Sequence, residues 1–287
     1  MKKNLYIILL SFIAIAVYAD NRQGIDFYKA GEPTIASWLF EKQLSSSPAE
    51  QAEALYYLGE IAFDENKTFE ALANYQKGWT TFPDYAYNKV GEGKVLLKTD
   101  KSTAQKAFDA AIKINKKDAS VYVAIAKAYS MNGMEAEAQA ALDNAKKYNA
   151  NDPAIYLYEG DLLISKDKPG DAAGRYEQAI HFDPACKEAY IKYANVYQGV
   201  TPTLSIEMLQ KVISNYPDYL PAYCHLGNIY SLQGNYPKAV AAYKTYMAGG
   251  LYSTDNLVHY ASALFFNKQY AESGKIISEG QAIDPDN

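Results

Sequence analysis

The chain has 287 residues, a formal charge of −5, 27 tyrosines and two cysteines. That acidic balance leaves no basic stripe to neutralise phosphates and no polybasic segment for anionic lipid, which argues against nucleic acid and against a charged membrane surface as partners.

The first 19 residues stand apart from the rest. Lys2 and Lys3 precede an apolar run from Leu5 to Val17, and Val17-Tyr18-Ala19 suits signal-peptidase cleavage before Asp20. The run is shorter than the ~20 residues a spanning helix needs. Residues 1–19 are therefore predicted to be a cleaved secretory signal, with a retained anchor as the alternative. No cysteine follows the run, so the lipoprotein route is closed. The mature chain, from Asp20, is expected outside the cytoplasm, in the periplasm of a two-membrane bacterium, with no membrane insertion. Loss of the leader removes two lysines and no acid, taking the charge from −5 to −7.

From there a spacing of small and aromatic residues returns about every 34 positions, the mark of stacked helical hairpins. Eight units are predicted, at 17–51, 52–85, 86–118, 119–152, 153–186, 187–219, 220–253 and 254–287. Repeat 1 keeps Gly24, Phe27, Gly31, Ala36, Phe40 and Pro48. Repeat 2 supplies Leu55, Leu58, Gly59, Ala62, Ala71, Tyr75, Gly78 and Pro83. Repeat 3 runs one residue short and carries Lys89 and Glu92 where apolar residues are expected. Repeat 4 supplies Tyr122, Ile125, Ala126, Tyr129, Gly133, Ala138 and Leu142, and repeat 5 departs mainly at Glu159. Repeat 6 is also one residue short, a deletion placed in the turn between its helices, as in repeat 3. Repeat 7 is the fullest, with Tyr223, Leu226, Gly227, Tyr230, Gly234, Tyr236, Ala239 and Tyr243; repeat 8 keeps Leu257, Tyr260, Ala261, Leu264, Tyr270 and Pro285.

Within each unit, slots 4, 7, 8 and 11 lie on one face of a first helix and slots 20, 24 and 27 on one face of a second. A small residue at slots 8 and 20 lets the backbones approach, the aromatic at 24 fills the gap beside them, and proline near slot 32 ends the second helix. A lone unit cannot bury its apolar face, so neighbours stack. The fold class expected is all-α, an α-solenoid of stacked antiparallel helix pairs forming a right-handed superhelix.

This spacing resembles the tetratricopeptide repeat, and the resemblance spans nearly the whole mature chain. It implies a concave groove that receives an extended peptide or a partner helix, lined by slots 2, 5, 9 and 12 of the first helices. Slot 9 holds Ile25, Glu60, Lys94, Lys127, Asp161, Asn195, Asn228 and Ser262, and slot 5 holds Tyr56, Val90, Val123, Leu157, Ile191, Cys224 and Val258 across repeats 2 to 8. The expected groove has an apolar floor and a polar ladder, basic around repeats 3 and 4 and amide-bearing at 6 and 7. Its candidate partner-binding residues are Tyr56, Glu60, Lys94, Lys127, Asp161, Asn195, Asn228 and Ser262. The side-chain amides of Asn195 and Asn228 can both donate to and accept from a peptide backbone. The clamp that grips chaperone C-termini needs lysine at slot 5, and no slot 5 here is lysine.

No catalytic constellation is found: no HExxH, no GxxxxGK[ST], no GxSxG. Gly91-Glu92-Gly93-Lys94 lacks the spacing of a phosphate loop. His225 and His259 share slot 6 of consecutive repeats and are expected at a solvent-facing rim, with no metal or other cofactor. Cys186 and Cys224 are expected as shielded thiols, not a disulfide. The functional expectation is a non-catalytic protein interaction scaffold of the bacterial envelope. The alternative is a structural or oligomerising module of a longer protein, with self-association through repeat 8, where Ile276, Ile277 and Ile283 have no next repeat to cover them.

Overall fold

The computed structural model describes residues 21–283; the predicted signal at 1–19 and Pro285 lie outside them. Among the described residues there are sixteen helices: α1 (Asn21–Lys29), α2 (Pro33–Gln43), α3 (Pro48–Asp64), α4 (Thr68–Thr81), α5 (Tyr87–Leu96), α6 (Lys101–Ile114), α7 (Ala119–Ser130), α8 (Glu135–Tyr148), α9 (Pro153–Ser165), α10 (Pro169–Phe182), α11 (Lys187–Tyr197), α12 (Pro202–Asn215), α13 (Leu220–Leu232), α14 (Tyr236–Ala248), α15 (Thr254–Phe266) and α16 (Tyr270–Ile283). The fold is an all-α repeat solenoid. By contact the described chain divides into two compact parts, one of residues 21–28 and 36–189, the other of 29–35 and 190–283.

Local chemistry sets the ends of these helices. Ser47 caps α3 in a reciprocal box with Glu50, and the side chains of Asp100, Asp118 and Asp152 accept backbone N–H groups at the starts of α6, α7 and α9. Proline opens helices more often than it follows them: α2, α3, α9, α10, α12, α13 and α14 carry it in their first turn, where the missing N–H has no intrahelical role. Slot 15 of six repeats takes a left-handed conformation, at Gly31, Asn66, Gly133, Asp167, Gly234 and Lys268. In repeats 3 and 6 the turn contains no residue with positive φ. The residue those two repeats lack is this left-handed one.

Packing within a repeat follows a size rule. At slot 8, an added Cβ would sit 2.7 Å from the Phe40 ring at Gly24, 2.4 Å from Tyr75 at Gly59, 2.4 Å from Phe108 at Gly93, 2.4 Å from Tyr176 at Gly160 and 2.7 Å from Tyr243 at Gly227. Each is a slot-8 glycine against a slot-24 aromatic of its own repeat. Where slot 24 is aliphatic, at Leu142, Leu209 and Ile277, slot 8 is alanine, at Ala126, Ala194 and Ala261. Glycine makes room for a ring that alanine would exclude. Gly91 also abuts Tyr75, with a Cβ position 2.4 Å from its ring, so the Gly91-Glu92-Gly93-Lys94 run is a packing motif on α5. The charges that break the apolar pattern are neutralised where they stand. Glu92 is bonded by Lys89 and Gln76, and Glu159 by Lys146 at 2.7 Å and Arg175 at 3.2 Å.

A polar ladder and an open cavity

The slot-9 side chains divide by repeat. In three repeats the slot-24 tyrosine hydroxyl donates to the slot-9 residue: Tyr75 to Glu60 at 2.6 Å, Tyr176 to Asp161 at 2.9 Å, and Tyr243 to Asn228 at 2.6 Å. The ring fills the gap beside the glycine while its hydroxyl reaches the next turn of the first helix. Burial and the acceptor carboxylate together push the Tyr75 and Tyr176 hydroxyls well above the usual phenol range.

Slot 9 also links neighbouring repeats. Lys94 donates to Glu60 at 2.7 Å, lies 4.2 Å from the centre of the Phe63 ring, and is almost fully buried. Lys127 faces Asp161 at 3.9 Å with both side chains partly exposed. These contacts correct the expected basic stretch at repeats 3 and 4, because Lys94 is consumed by an internal ion pair and Lys127 stands opposite an acid. Tyr56 is half-buried in a ring cluster with Tyr57, Tyr75, Tyr85 and Tyr87, centroids 5.1 to 6.0 Å away. The apolar floor is corrected as well. Val90, Val123, Leu157, Ile191 and Cys224 are buried, and Val90 and Val123 belong to the core that joins repeats 3, 4 and 5. First helices stand side by side through repeats 2 to 5 and again at repeats 7 and 8, so slot 5 there is spent on packing between them. Only Val258 of the series is exposed.

Repeats 7 and 8 are different. A cavity of about 360 Å³ is lined by Asn228, Ser231, Leu232, Tyr236 and Tyr243 of repeat 7 and by His259, Ser262, Ala263 and Phe266 of repeat 8. Its wall is aromatic, with Tyr236 stacked on Phe266 at 5.0 Å and 20°. Leu232 is 72% exposed and Phe266 58%. Asn228 Oδ1 is occupied by Tyr243, which orients the amide and leaves Nδ2 as the atom able to donate to a carbonyl. Of the eight candidate residues, the structure brings Asn228 and Ser262 together here; Asn195 is exposed on α11. Sequence reasoning passed over Leu232, Phe265 and Phe266. Their signal was position: large apolar side chains at slots 12 and 13, off the buried face of their helices.

His259 is exposed as expected, but His225 is not at a solvent rim. Its Nε2 lies 3.1 Å from the Ala30 carbonyl, and burial holds its pKa below the ordinary 6.5. Cys224 is buried and Cys186 partly so, with no disulfide between them. Among the described residues no group of three or more His, Cys, Asp or Glu is placed to hold a metal ion, and no helix is long and apolar enough to cross a membrane.

Residues 208–241 match the tetratricopeptide repeat family, a window running from α12 into α14. No curated protein matches the chain. Among solved structures, it is similar to PilW, a widely conserved type IV pilus biogenesis factor, with a TM-score of 0.54 and 17% identity over 70% of this chain and 94% of that one. It is likewise similar to PilF of Pseudomonas aeruginosa, with a TM-score of 0.53 and 13% identity over 70% and 93%. Together these findings give the fold as a repeat solenoid of the tetratricopeptide type.

Proposed function

We propose that this protein is a non-catalytic scaffold of the bacterial envelope that holds an extended segment of a partner protein at repeats 7 and 8. The observation that carries the reading is the cavity between α13 and α15, where an aromatic wall meets an oriented side-chain amide. An apolar side chain of the partner enters beside Leu232 and Phe266, and Asn228 and Ser262 meet its backbone, which gives affinity without demanding one sequence. The envelope assignment is supported by the signal-like residues 1–19 and by the fold likeness to a pilus biogenesis factor.

Photo-crosslinkers at Leu232 and at Ser262, with one at the exposed Phe69 of repeat 2 as control, test this in native envelopes. The expected result is one discrete partner captured at 232 and 262, absent at 69, and lost when Phe266→Asp is added. Capture at all three positions alike, or capture indifferent to Phe266→Asp, would count against it. A second reading, self-association through repeat 8, draws on Ile277, which is 49% exposed. It requires a mass by light scattering that rises with concentration.

A further inference from the structure

In repeats 2, 5 and 7 the slot-9 side chain is answered from inside its own repeat, Glu60 by Tyr75, Asp161 by Tyr176 and Asn228 by Tyr243. Repeat 8 breaks this pattern. Its slot 24 is Ile277, so Ser262 has no tyrosine of its own, and the exposed serine borders the same cavity as Asn228. Asn228 has given its Oδ1 to Tyr243, which leaves Nδ2 as a donor. Two slot-9 groups on adjacent first helices, one a donor and the other able to accept, therefore line one space. Helices ~8–10 Å apart are bridged directly by long slot-9 side chains, as Lys94 and Glu60 are at 2.7 Å. Asn228 and Ser262 are shorter, which leaves room between them for one oxygen atom of a ligand.

We propose that the cavity takes a tyrosine side chain of the partner, its hydroxyl accepting from Asn228 Nδ2 and donating to Ser262 Oγ. This rests on the reading of the cavity as the partner site and names the residue it selects. Three features point to a phenol. No Lys, Arg, Asp or Glu is among the lining residues, so a charged side chain would lose water there without gaining a counter-charge. The cavity's size, about 360 Å³ or the liquid volume of about twelve waters, suits a ring, whereas valine or leucine would leave much of it wet. The wall suits a ring as well, since Phe266 stacks on Tyr236 yet remains largely exposed and can pack a further aromatic offset or edge-on. Phenylalanine fits that wall but leaves both slot-9 groups unmet, and an indole N–H cannot accept from Asn228. The incoming tyrosine gives Ser262 the contact that Tyr243 gives Asn228.

The probes are N-acetyltyrosinamide and N-acetylphenylalaninamide, both uncharged, titrated at fixed pH into the full chain while the ring signals of its three histidines are followed by NMR. His259 lines the cavity, and His181 on α10 serves as the control. The expected result is a His259 shift that saturates at about fivefold lower concentration with the tyrosine amide, the gain from two modest hydrogen bonds, with His181 unmoved. Ser262→Ala, at an exposed position, should cut that preference at least about twofold and leave the phenylalanine amide titration unchanged. Equal affinities for the two amides, a preference indifferent to Ser262→Ala, or no movement of His259 with either amide overturns the tyrosine assignment. The cavity reading is decided separately by capture at Leu232 and Ser262. Capture together with equal amide affinities would sink the tyrosine and keep the cavity, whereas no capture would sink the cavity reading whatever the amides do.

Discussion

Repeats 2 to 5 and repeats 7 and 8 are built on one plan and use the same slot for opposite ends. In the former, slot 9 carries charges that answer each other from one repeat to the next, Glu60 to Lys94 and Lys127 to Asp161. In the latter it carries an amide and a hydroxyl, Asn228 and Ser262, beside an open cavity. A charge that bridges repeats is lost to a ligand, because removing it strands its partner. An uncharged group bonded only within its own repeat keeps a donor to offer. A groove position therefore has a contact to offer a ligand only where the array does not need it for bracing.

Breaking the brace has the largest expected effect. Lys94→Met strands the largely buried Glu60 carboxyl without its cation, and is expected to cost about 3 to 5 kcal/mol in urea unfolding. Adding Glu60→Gln, which still accepts from Tyr75, should return most of it; a double variant no more stable than the single would show that the pair is not the source. Next comes the packing that both regions share. Gly227→Ala drives a Cβ to 2.7 Å from Tyr243 and is expected to cost about 1 to 3 kcal/mol. Pairing it with Tyr243→Leu recreates the Ala126 and Leu142 arrangement of repeat 4, so the double variant should lose less than the two singles added.

A pH series sharpens the contrast further. Burial raises Glu32 above its ordinary 4.5 in the folded chain. A raised carboxyl contributes fully below 4.5, and that contribution is lost as pH rises through the folded value. The melting-temperature advantage of the parent over Glu32→Ala should therefore be larger at pH 4.5 than at pH 7.5, and an advantage that grows with pH would reverse the assignment. Lys127→Ala should do least, no more than about 1 kcal/mol, since its pair at 3.9 Å is open to water. A loss as large as that of Lys94→Met would mean that exposure does not separate the two braces.

The helix pairs and their apolar faces were legible because they depend on spacing alone. Two further regularities stood in the sequence unread. Glycine at slot 8 accompanies an aromatic at slot 24, as at Gly160 and Tyr176, and a slot-24 tyrosine is answered 15 residues earlier by an acceptor, as at Asp161. Both need two helices compared at once, not one face taken at a time. Why Lys94 is unavailable could also be inferred only weakly, since Glu60 lies 34 residues away and the pairing depends on the stagger of neighbouring repeats. The contact of His225 with Ala30 bridges 195 positions and leaves no periodic trace. Local rules predict the hairpins, whereas this contact rests on how hairpins far apart in sequence meet.

The matching of slot 8 to slot 24 also bears on which helices of this chain are interchangeable. Second helices fall into two gauges, a ring gauge at repeats 1, 2, 3, 5 and 7 and an aliphatic gauge at repeats 4, 6 and 8. Grafting α10 behind α9's counterpart α7 would press a tyrosine onto Ala126, while α8 placed against α9 would leave the space over Gly160 unfilled. Recombination between repeats is therefore tolerated within a gauge and penalised across it, so the array behaves as two parts bins, not as eight equivalent modules.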